Sequence, residues 1–298
     1  MISVCIPVYN TDVTALVQNL SLLASKGECP YEIILLDDAS ANNEICLRNK
    51  SLAAISFVYY HQNEQNRGLA YTRNRLGQLA QYPNLLFIDS DAEIVRDTYL
   101  KTYIDSCNTG KVYFGGCVYP DICPEPQFLL RWKFGKEREE GVGKYFSCFN
   151  FFIPREIFLQ YPFDDSLKQY GYEDTLFGIT LQDNGVDVQF IDNPLLHKGL
   201  DRADVYLEKV QSAVRNLISI EPYLEKMDRV SDIRLLNAYK KVGTFYGQKL
   251  MSYLFLLLSP YIEANLKGQR PYLRLLDFYK LGYLCTLKTK KKKADLQC

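Results

Sequence analysis

Two carboxylate clusters carry most of the chemistry open to this sequence. Asp89-Ser90-Asp91 follows the apolar run Leu85-Leu86-Phe87-Ile88, which reads as a buried strand, so two acids leave a strand end within one turn. Hard oxygen donors this close together suit Mg²⁺ or Mn²⁺. An ion held by one or two carboxylates completes its shell with substrate phosphates. An isolated pair of this kind also serves as a solvated turn. The second cluster is Gly171-Tyr172-Glu173-Asp174, which opens a segment with Leu176, Ile179 and Leu181 at apolar spacing. A helix dipole by itself favours acids in a first turn, but it leaves the Gly-aromatic prefix unexplained. His197, after Pro194-Leu195-Leu196, adds an imidazole able to bind Mn²⁺. A lone histidine is also a common structural residue, and His61, at a strand end, reads as one.

A basic group complements these acids. Asn66-Arg67-Gly68 leads to Arg73-Asn74-Arg75 where a loop enters a helix, and a helix start with arginines is a natural anion site. Arg75 reads as a surface residue, and Arg67 fits either role. Asp37-Asp38 ends another apolar run, where a carboxylate can accept a hydrogen bond from a nucleobase ring N–H or cap the following helix.

The elements that position these groups alternate. Ser3–Ile6, Glu32–Leu36, Ile55–Tyr60 and Leu85–Ile88 read as strands, and Val13–Ala24 and Leu69–Ala80 as helices. That order predicts an α/β fold with a mostly parallel central sheet flanked by helices. Ligands of such sheets bind beyond the carboxyl ends of the strands, which gathers Pro7-Val8-Tyr9-Asn10, Asp37-Asp38 and Asp89–Asp91 on one rim. Further strands are expected at Lys111–Val118 and Tyr145–Ile153. Between them, Tyr119–Lys144 reads as a mobile loop holding the only tryptophan, Trp132. Beyond Leu200 the pattern turns helical, near 204–220, 231–258 and 271–287. Lys288–Lys293 has five lysines in six residues and is predicted to be disordered. The expected division is a catalytic domain over 1–202 and a helical extension with a basic tail over 203–298.

Composition narrows the class. The chain has 298 residues, 47% hydrophobic and 23% charged, as in ordinary globular proteins. Its zero net charge hides an asymmetry: 17 Lys and Arg against 9 Asp and Glu after residue 202, and 18 against 26 before it. The acidic part suits a metal-centred site. The basic part suits an anionic surface such as phospholipid, or is simply a solvated helical face. The nine cysteines are scattered, with no Cys-x-x-Cys and no zinc-type spacing, as expected of buried reduced thiols in a cytosolic protein. Ile2–Ile6 already reads as a strand, so no signal peptide is expected, and no apolar stretch is long enough to span a bilayer. Nothing points to nucleic acid. The expected location is the cytoplasm, with the inner face of the membrane as a peripheral site.

In order, Ile6-Pro7-Val8-Tyr9-Asn10, Leu36-Asp37-Asp38-Ala39-Ser40, Asn66-Arg67-Gly68 with Arg73-Asn74, Phe87-Ile88-Asp89-Ser90-Asp91 and Gly171-Tyr172-Glu173-Asp174 resemble the motifs of the family 2 glycosyltransferases, which have the GT-A nucleotide-sugar-binding fold. The resemblance covers about the first two-thirds of the chain and points to the type used in bacterial glycan biosynthesis. It implies an inverting transfer of one sugar from a UDP-sugar to a saccharide or lipid-linked acceptor, with Mn²⁺ or Mg²⁺ as cofactor. Asp174 is implied as the base and Glu173 as a positioning acid. Pro7, Tyr9, Asp38, Asn66, Arg73 and Asp89 would bind the donor, and Asp91 and His197 the metal. The Gln-x-x-Arg-Trp motif of processive synthases is absent; Leu130-Arg131-Trp132-Lys133 lies before the base, in the wrong order. The Leu- and Tyr-rich C-terminal helices would permit peripheral membrane contact or a homodimer. The rival readings are a non-catalytic nucleotide-sugar or glycan-binding subunit and a sugar-phosphate nucleotidyltransferase. The second lacks its Gly-rich, Arg/Lys-containing N-terminal loop here.

Overall fold

Strand β1 (Ile2–Val8) is buried at every position, which fixes it as the centre of a two-sided sheet. The structure, a computed structural model, describes residues 1–27, 29–107, 109–141, 143, 146–167, 171–243 and 245–295; for Phe245 and residues 291–295 it describes the backbone alone. After β1 come α1 (Thr14–Ser25), β2 (Tyr31–Asp37), α2 (Asn43–Ser51), β3 (Val58–Gln62), α3 (Leu69–Leu79), β4 (Asn84–Ile88) and β5 (Ala92–Glu93). They are followed by α4 (Tyr99–Asp105), β6 (Val112–Phe114), β7 (Cys117–Val118), α5 (Leu129–Phe134), β8 (Asn150–Pro154) and α6 (Arg155–Gln160). The chain ends with α7 (Glu173–Asp183), β9 (Val188–Phe190), β10 (Leu195–His197), α8 (Ala203–Lys226), α9 (Arg234–Val242), α10 (Phe245–Leu266) and α11 (Leu273–Asp295). Among the described residues no helix is long and apolar enough to cross a membrane.

The chain divides into two units. The first, formed by 1–120, 138–168 and 173–199, carries a seven-stranded sheet in the order β3-β2-β1-β4-β8-β6-β9. Its β1, β2, β3 and β4 run parallel, as the alternating pattern predicts, and β8 runs antiparallel between β4 and β6. An aromatic core lies against this sheet, with Phe87 stacked on Phe151 at 4.7 Å and Phe163 on Phe177 at 4.0 Å. Each such ring contributes about 2–3 kcal/mol by leaving water. A second, three-stranded sheet orders β5-β10-β7. The other unit, 121–137, 169–172 and 200–298, is helical, and its core joins Tyr206, Leu207 and Val210 of α8 to Phe255 of α10 and Leu276 and Tyr279 of α11.

Several sequence expectations shift. Helix α2 went unpredicted because it carries no buried apolar stripe, its buried residue being Asn49 while Leu47 is exposed, although Asn42 caps it by accepting from the backbone N–H groups of Glu44 and Ile45. The strand expected over Lys111–Val118 divides at Gly115-Gly116 into β6 and β7, which join different sheets. The loop expected over Tyr119–Lys144 holds a 3₁₀ turn at Pro126–Phe128, α5, and a π-type turn at Gly135–Glu139. Its Val142 and Lys144, and Tyr145 of the strand expected next, lie outside the described residues; β8 itself begins at Asn150. The long helix expected over 231–258 is two, because Gly243 at φ 78° ends α9 with a backbone turn that a helix cannot follow. The lysine tail is helical as far as Asp295, as befits good helix formers, and Lys288 is anchored by Glu221.

Candidate active site

The parallel strands β2 and β4 deliver four acids to one rim, Asp37 and Asp38 at the exit of the first and Asp89 and Asp91 after the second. At the end of β2, Asp37 is fully buried, and its Oδ1 accepts from the N–H of Ser40 at 2.7 Å, so it serves the turn rather than a ligand. Asp38, also buried, organises the loop that leads to α3: Oδ1 accepts from Asn63 Nδ2 at 2.7 Å and from the Arg67 N–H at 2.9 Å, and Oδ2 from the Gly68 N–H at 2.8 Å. Gly68, at φ 90°, allows that approach. Asn10 Oδ1 accepts from the N–H groups of Ala41 and Asn42 and ties the exit of β1 to the same region. Of the other residues expected on the donor side, Pro7 is buried in β1, Tyr9 is exposed just past it, and Asn66 is exposed in the loop that Asp38 holds.

Arg73 does not lie on the surface. It is 2% exposed, and its Nη2 donates to Asp89 Oδ1 at 2.7 Å, with the guanidinium 5.4 Å from the Phe163 ring centre. Its Nε and Nη1 are buried with no hydrogen-bond partner among the described residues. Burial works against its charge, but Asp89, Cys148 and Glu173 together outweigh that and hold its pKa above the ordinary value. Burial pushes Asp89 up to about 6; Arg73 opposes the rise and Asp91 adds to it. Arg67 lies 4.5 Å above the Tyr71 ring, and exposed Arg75 donates to Gln78, as surface arginines do.

Glu173 and Asp174 open α7 after a turn in which Gly171 and Tyr172 both have positive φ, at 100° and 67°. Asp174 Oδ1 accepts from the Thr175 N–H at 2.7 Å. Burial raises its pKa above the ordinary carboxylate value; the Thr175 bonds and Arg73 pull the other way, and Asp89 adds to the rise. Asp89, Arg73, Glu173 and Asp174 therefore act on one another's charge, although they come from β4, α3 and α7. Cys148 lies within the same field, and burial raises its thiol pKa.

The small sheet makes the remaining encounter. Pairing of β10 with β5 sets His197 opposite Ala92, and the Lys198 N–H donates to the Asp91 carbonyl at 3.0 Å. His197 Nε2 thereby stands 3.8 Å from Asp91 Oδ2. The imidazole lies between two rings, Phe149 at 4.9 Å and 3° and Tyr119 at 5.2 Å and 18°. Tyr119 is itself held, its hydroxyl donating to Glu139 and its N–H to Glu140. Gly199 completes the corner: a Cβ there would fall 2.0 Å from Asp91 Oδ2. Sequence reasoning missed Tyr119, Phe149, Gly199 and Asn63. Each works through a partner at least 25 residues away in the chain, and the sequence carries no local signal for any of them.

A carboxylate oxygen and an imidazole nitrogen at this separation are a donor pair suited to Mn²⁺ or Mg²⁺. Among the described residues no group of three or more His, Cys, Asp or Glu could enclose an ion alone. The corner therefore fits an ion that shares its shell with water and a bound phosphate.

Comparison with known proteins identifies the fold and the family. A glucosyl-dolichyl phosphate glucuronosyltransferase of Haloferax volcanii is 29% identical over 153 residues, which are 47% of this chain and 47% of that one, so the match spans under half of the relative's length. The fold is that of a mannosyltransferase from Pyrobaculum calidifontis, solved with GDP-Man and Mn²⁺, at a TM-score of 0.56 and 14% identity over 98% of this chain and 87% of that one. TarS of S. aureus, solved with UDP-GlcNAc, aligns at a TM-score of 0.52 and 15% identity over 98% and 92% of the two chains. Residues 3–165, more than half of the sequence, match the family described as glycosyl transferase family 2, and the chain belongs to that family.

Proposed function

We propose that the protein transfers one sugar from a UDP-sugar to a hydroxyl of a saccharide or lipid-linked acceptor, with inversion at the anomeric carbon and with Mn²⁺ or Mg²⁺ held by Asp91 and His197. The observation that carries this reading is the convergence of Asp91 and His197, 3.8 Å apart, with the charge-coupled group Arg73, Asp89, Glu173 and Asp174. A bound divalent ion would supply Lewis-acid stabilisation of the departing diphosphate.

The chain's own residues do the rest. Asp38 has used three of a carboxylate's roughly four acceptor sites, which leaves one for a nucleobase N–H such as that of uracil. Pro7 and Tyr9 flank it at the exit of β1, and Asn66 lies in the loop it holds. Asp89 is fixed by Arg73, whose remaining donors suit an anionic or hydroxyl group of the donor. Asp174 takes the proton of the acceptor hydroxyl as that oxygen bonds to the anomeric carbon and the bond from that carbon to the diphosphate oxygen breaks. Burial makes Asp174 more basic than an ordinary carboxylate, and Glu173 beside it positions a sugar. The partners are then a nucleotide-sugar donor and a glycan or lipid-linked acceptor. In support of a sugar-nucleotide site, proteins of the same fold were solved with UDP-GlcNAc and with GDP-Man.

Calorimetric titration with UDP-, GDP- and dTDP-sugars, with and without Mn²⁺, tests the reading. Metal-dependent binding confined to the UDP class is expected. A folded protein that binds none of them would point instead to a non-catalytic role. Asp174→Asn should lower kcat by about 10²–10⁴-fold while leaving donor affinity unchanged; turnover equal to the parent's would remove the base assignment.

A further inference from the structure

Helix α10 is inverted for a helix that faces water. Its buried stripe includes Gln248 and Ser252 beside Phe255, Ile262 and Leu266. The polar pair needs partners: Gln248 accepts from the Tyr239 hydroxyl at 2.8 Å and donates to the Gly243 carbonyl at 3.1 Å, and Ser252 bonds Thr286 at 3.0 Å. The outer stripe is Tyr246 at 80% exposure, Leu250 at 59%, Tyr253 at 63%, Leu257 at 57% and Tyr261 at 76%, with Leu256 beside them. From Tyr246 to Ile262 the one charged residue is Lys249. A surface helix in water shows the opposite pattern, and a contiguous apolar face of this size marks an interaction site.

The rim identifies the occupant. Exposed Lys240 and Lys241 precede the helix, Lys249 lies in its first third, and exposed Lys267 and Arg270 follow its end. The acid in this stretch, Glu263, is paired with Lys267 at 2.9 Å. A symmetric contact between two copies would set these positive rims against each other, whereas phosphate headgroups complement them. The tyrosines frame the leucines, and a phenol is suited to the headgroup level, with its ring in the apolar zone and its hydroxyl in the wet one. We propose that the outer face of α10 docks in the plane of an anionic phospholipid bilayer. This inference stands on α10 and does not depend on the reading of the active site.

The experiment is co-sedimentation of the full chain with phosphatidylcholine vesicles, with and without phosphatidylglycerol, at low and high salt. Binding to the phosphatidylglycerol vesicles that weakens with salt is expected. A Leu250→Ser, Tyr253→Ser, Leu257→Ser variant should lose it by about tenfold or more, and Lys240→Glu with Lys241→Glu should weaken it. Circular dichroism and thermal melts show that each variant is folded. Equal binding to neutral vesicles would overturn the anionic assignment, and no vesicle binding by the folded parent would overturn the docking itself. A parent dimer in light scattering that becomes a monomer in the triple-serine variant, without vesicle binding, would reassign the face to a second copy.

Discussion

Asp38 and Asp91 both follow strands that flank β1, yet the protein uses their carboxylates in opposite ways. Asp38 accepts from Asn63 and from the Arg67 and Gly68 N–H groups, all within the next thirty residues, and so builds a loop. Asp91 meets His197, more than a hundred residues away, because a separate three-stranded sheet pairs β10 with β5. The first acid is spent largely on folding and keeps little acceptor capacity for a ligand. The second is brought against another ligand-type side chain, and Gly199 keeps its corner clear. Acids that look alike in sequence are thus accompanied differently, one mainly by the amide and backbone donors of its own loop and the other by an imidazole from a distant strand.

The contrast is strongest in function. Asp91→Ala should remove Mn²⁺-dependent donor binding and lower turnover by about 10³-fold, since a Lewis-acid site is worth several kcal/mol to a leaving diphosphate. Its melting temperature should change less than that of Asp38→Ala. Calorimetry and thermal melts on the two variants check this, and equal turnover losses with equal melting shifts would erase the distinction. Asp38→Ala leaves three donors without their acceptor and should cost about 3 kcal/mol of stability. Asp38→Asn should recover part of this, because an amide oxygen still accepts from the loop.

The same contrast explains which parts were legible from sequence. Runs such as Leu85–Ile88, ending in Asp89-Ser90-Asp91, announce both the strand and the acids at its exit, and alternation with helices then implies the parallel sheet and its rim. The place of Arg73 was visible as a loop-to-helix arginine. Its depth was not, because only packing against Phe163 and pairing with Asp89 show that it is a buried strut. Helix α2 carried a readable start signal in Asn42 and Glu44, but apolar periodicity passed over it because its buried position is the polar Asn49 and its Leu47 faces water. His197 was visible as a residue, while Tyr119 and Phe149 were not. One lay in a stretch that reads as a loop and the other inside an aromatic-rich strand. Stacking partners that meet only after two sheets form leave no local pattern.

Gly199 tests whether the Asp91 corner depends on space as well as on its ligands. Gly199→Ala places a Cβ where Asp91 Oδ2 now sits, so the carboxylate must rotate or the β10 exit must move. Changes to the groups that orient a metal ligand typically cost about 10–100-fold in affinity, and that range is expected for Mn²⁺ if Asp91 holds it as proposed, read by calorimetry or by electron paramagnetic resonance of the free ion. A matching substitution on the Asp38 side, Gly68→Ala, acts through backbone strain at φ 90° and should lower the melting temperature instead. Unchanged Mn²⁺ affinity in Gly199→Ala would mean that Asp91 does not need its present orientation.

The smallest effect concerns the rings about His197. Stacking between Phe149 and Tyr119 limits rotation of the imidazole, so that Nε2 stays toward Asp91 without the ligand paying much entropy on binding. Phe149→Leu keeps the volume but loses the flat face and should weaken Mn²⁺ binding by about threefold to tenfold, in the manner of an orienting residue beyond the ligands themselves. Tyr119→Phe keeps the ring and removes only the hydroxyl that donates to Glu139, so its effect should be smaller still, and Tyr119→Leu should exceed it. If the rings merely fill space, leucine at either position will bind Mn²⁺ as the parent does and only the melting temperature will fall. If they aim the imidazole, affinity will follow the presence of a flat ring even where stability does not.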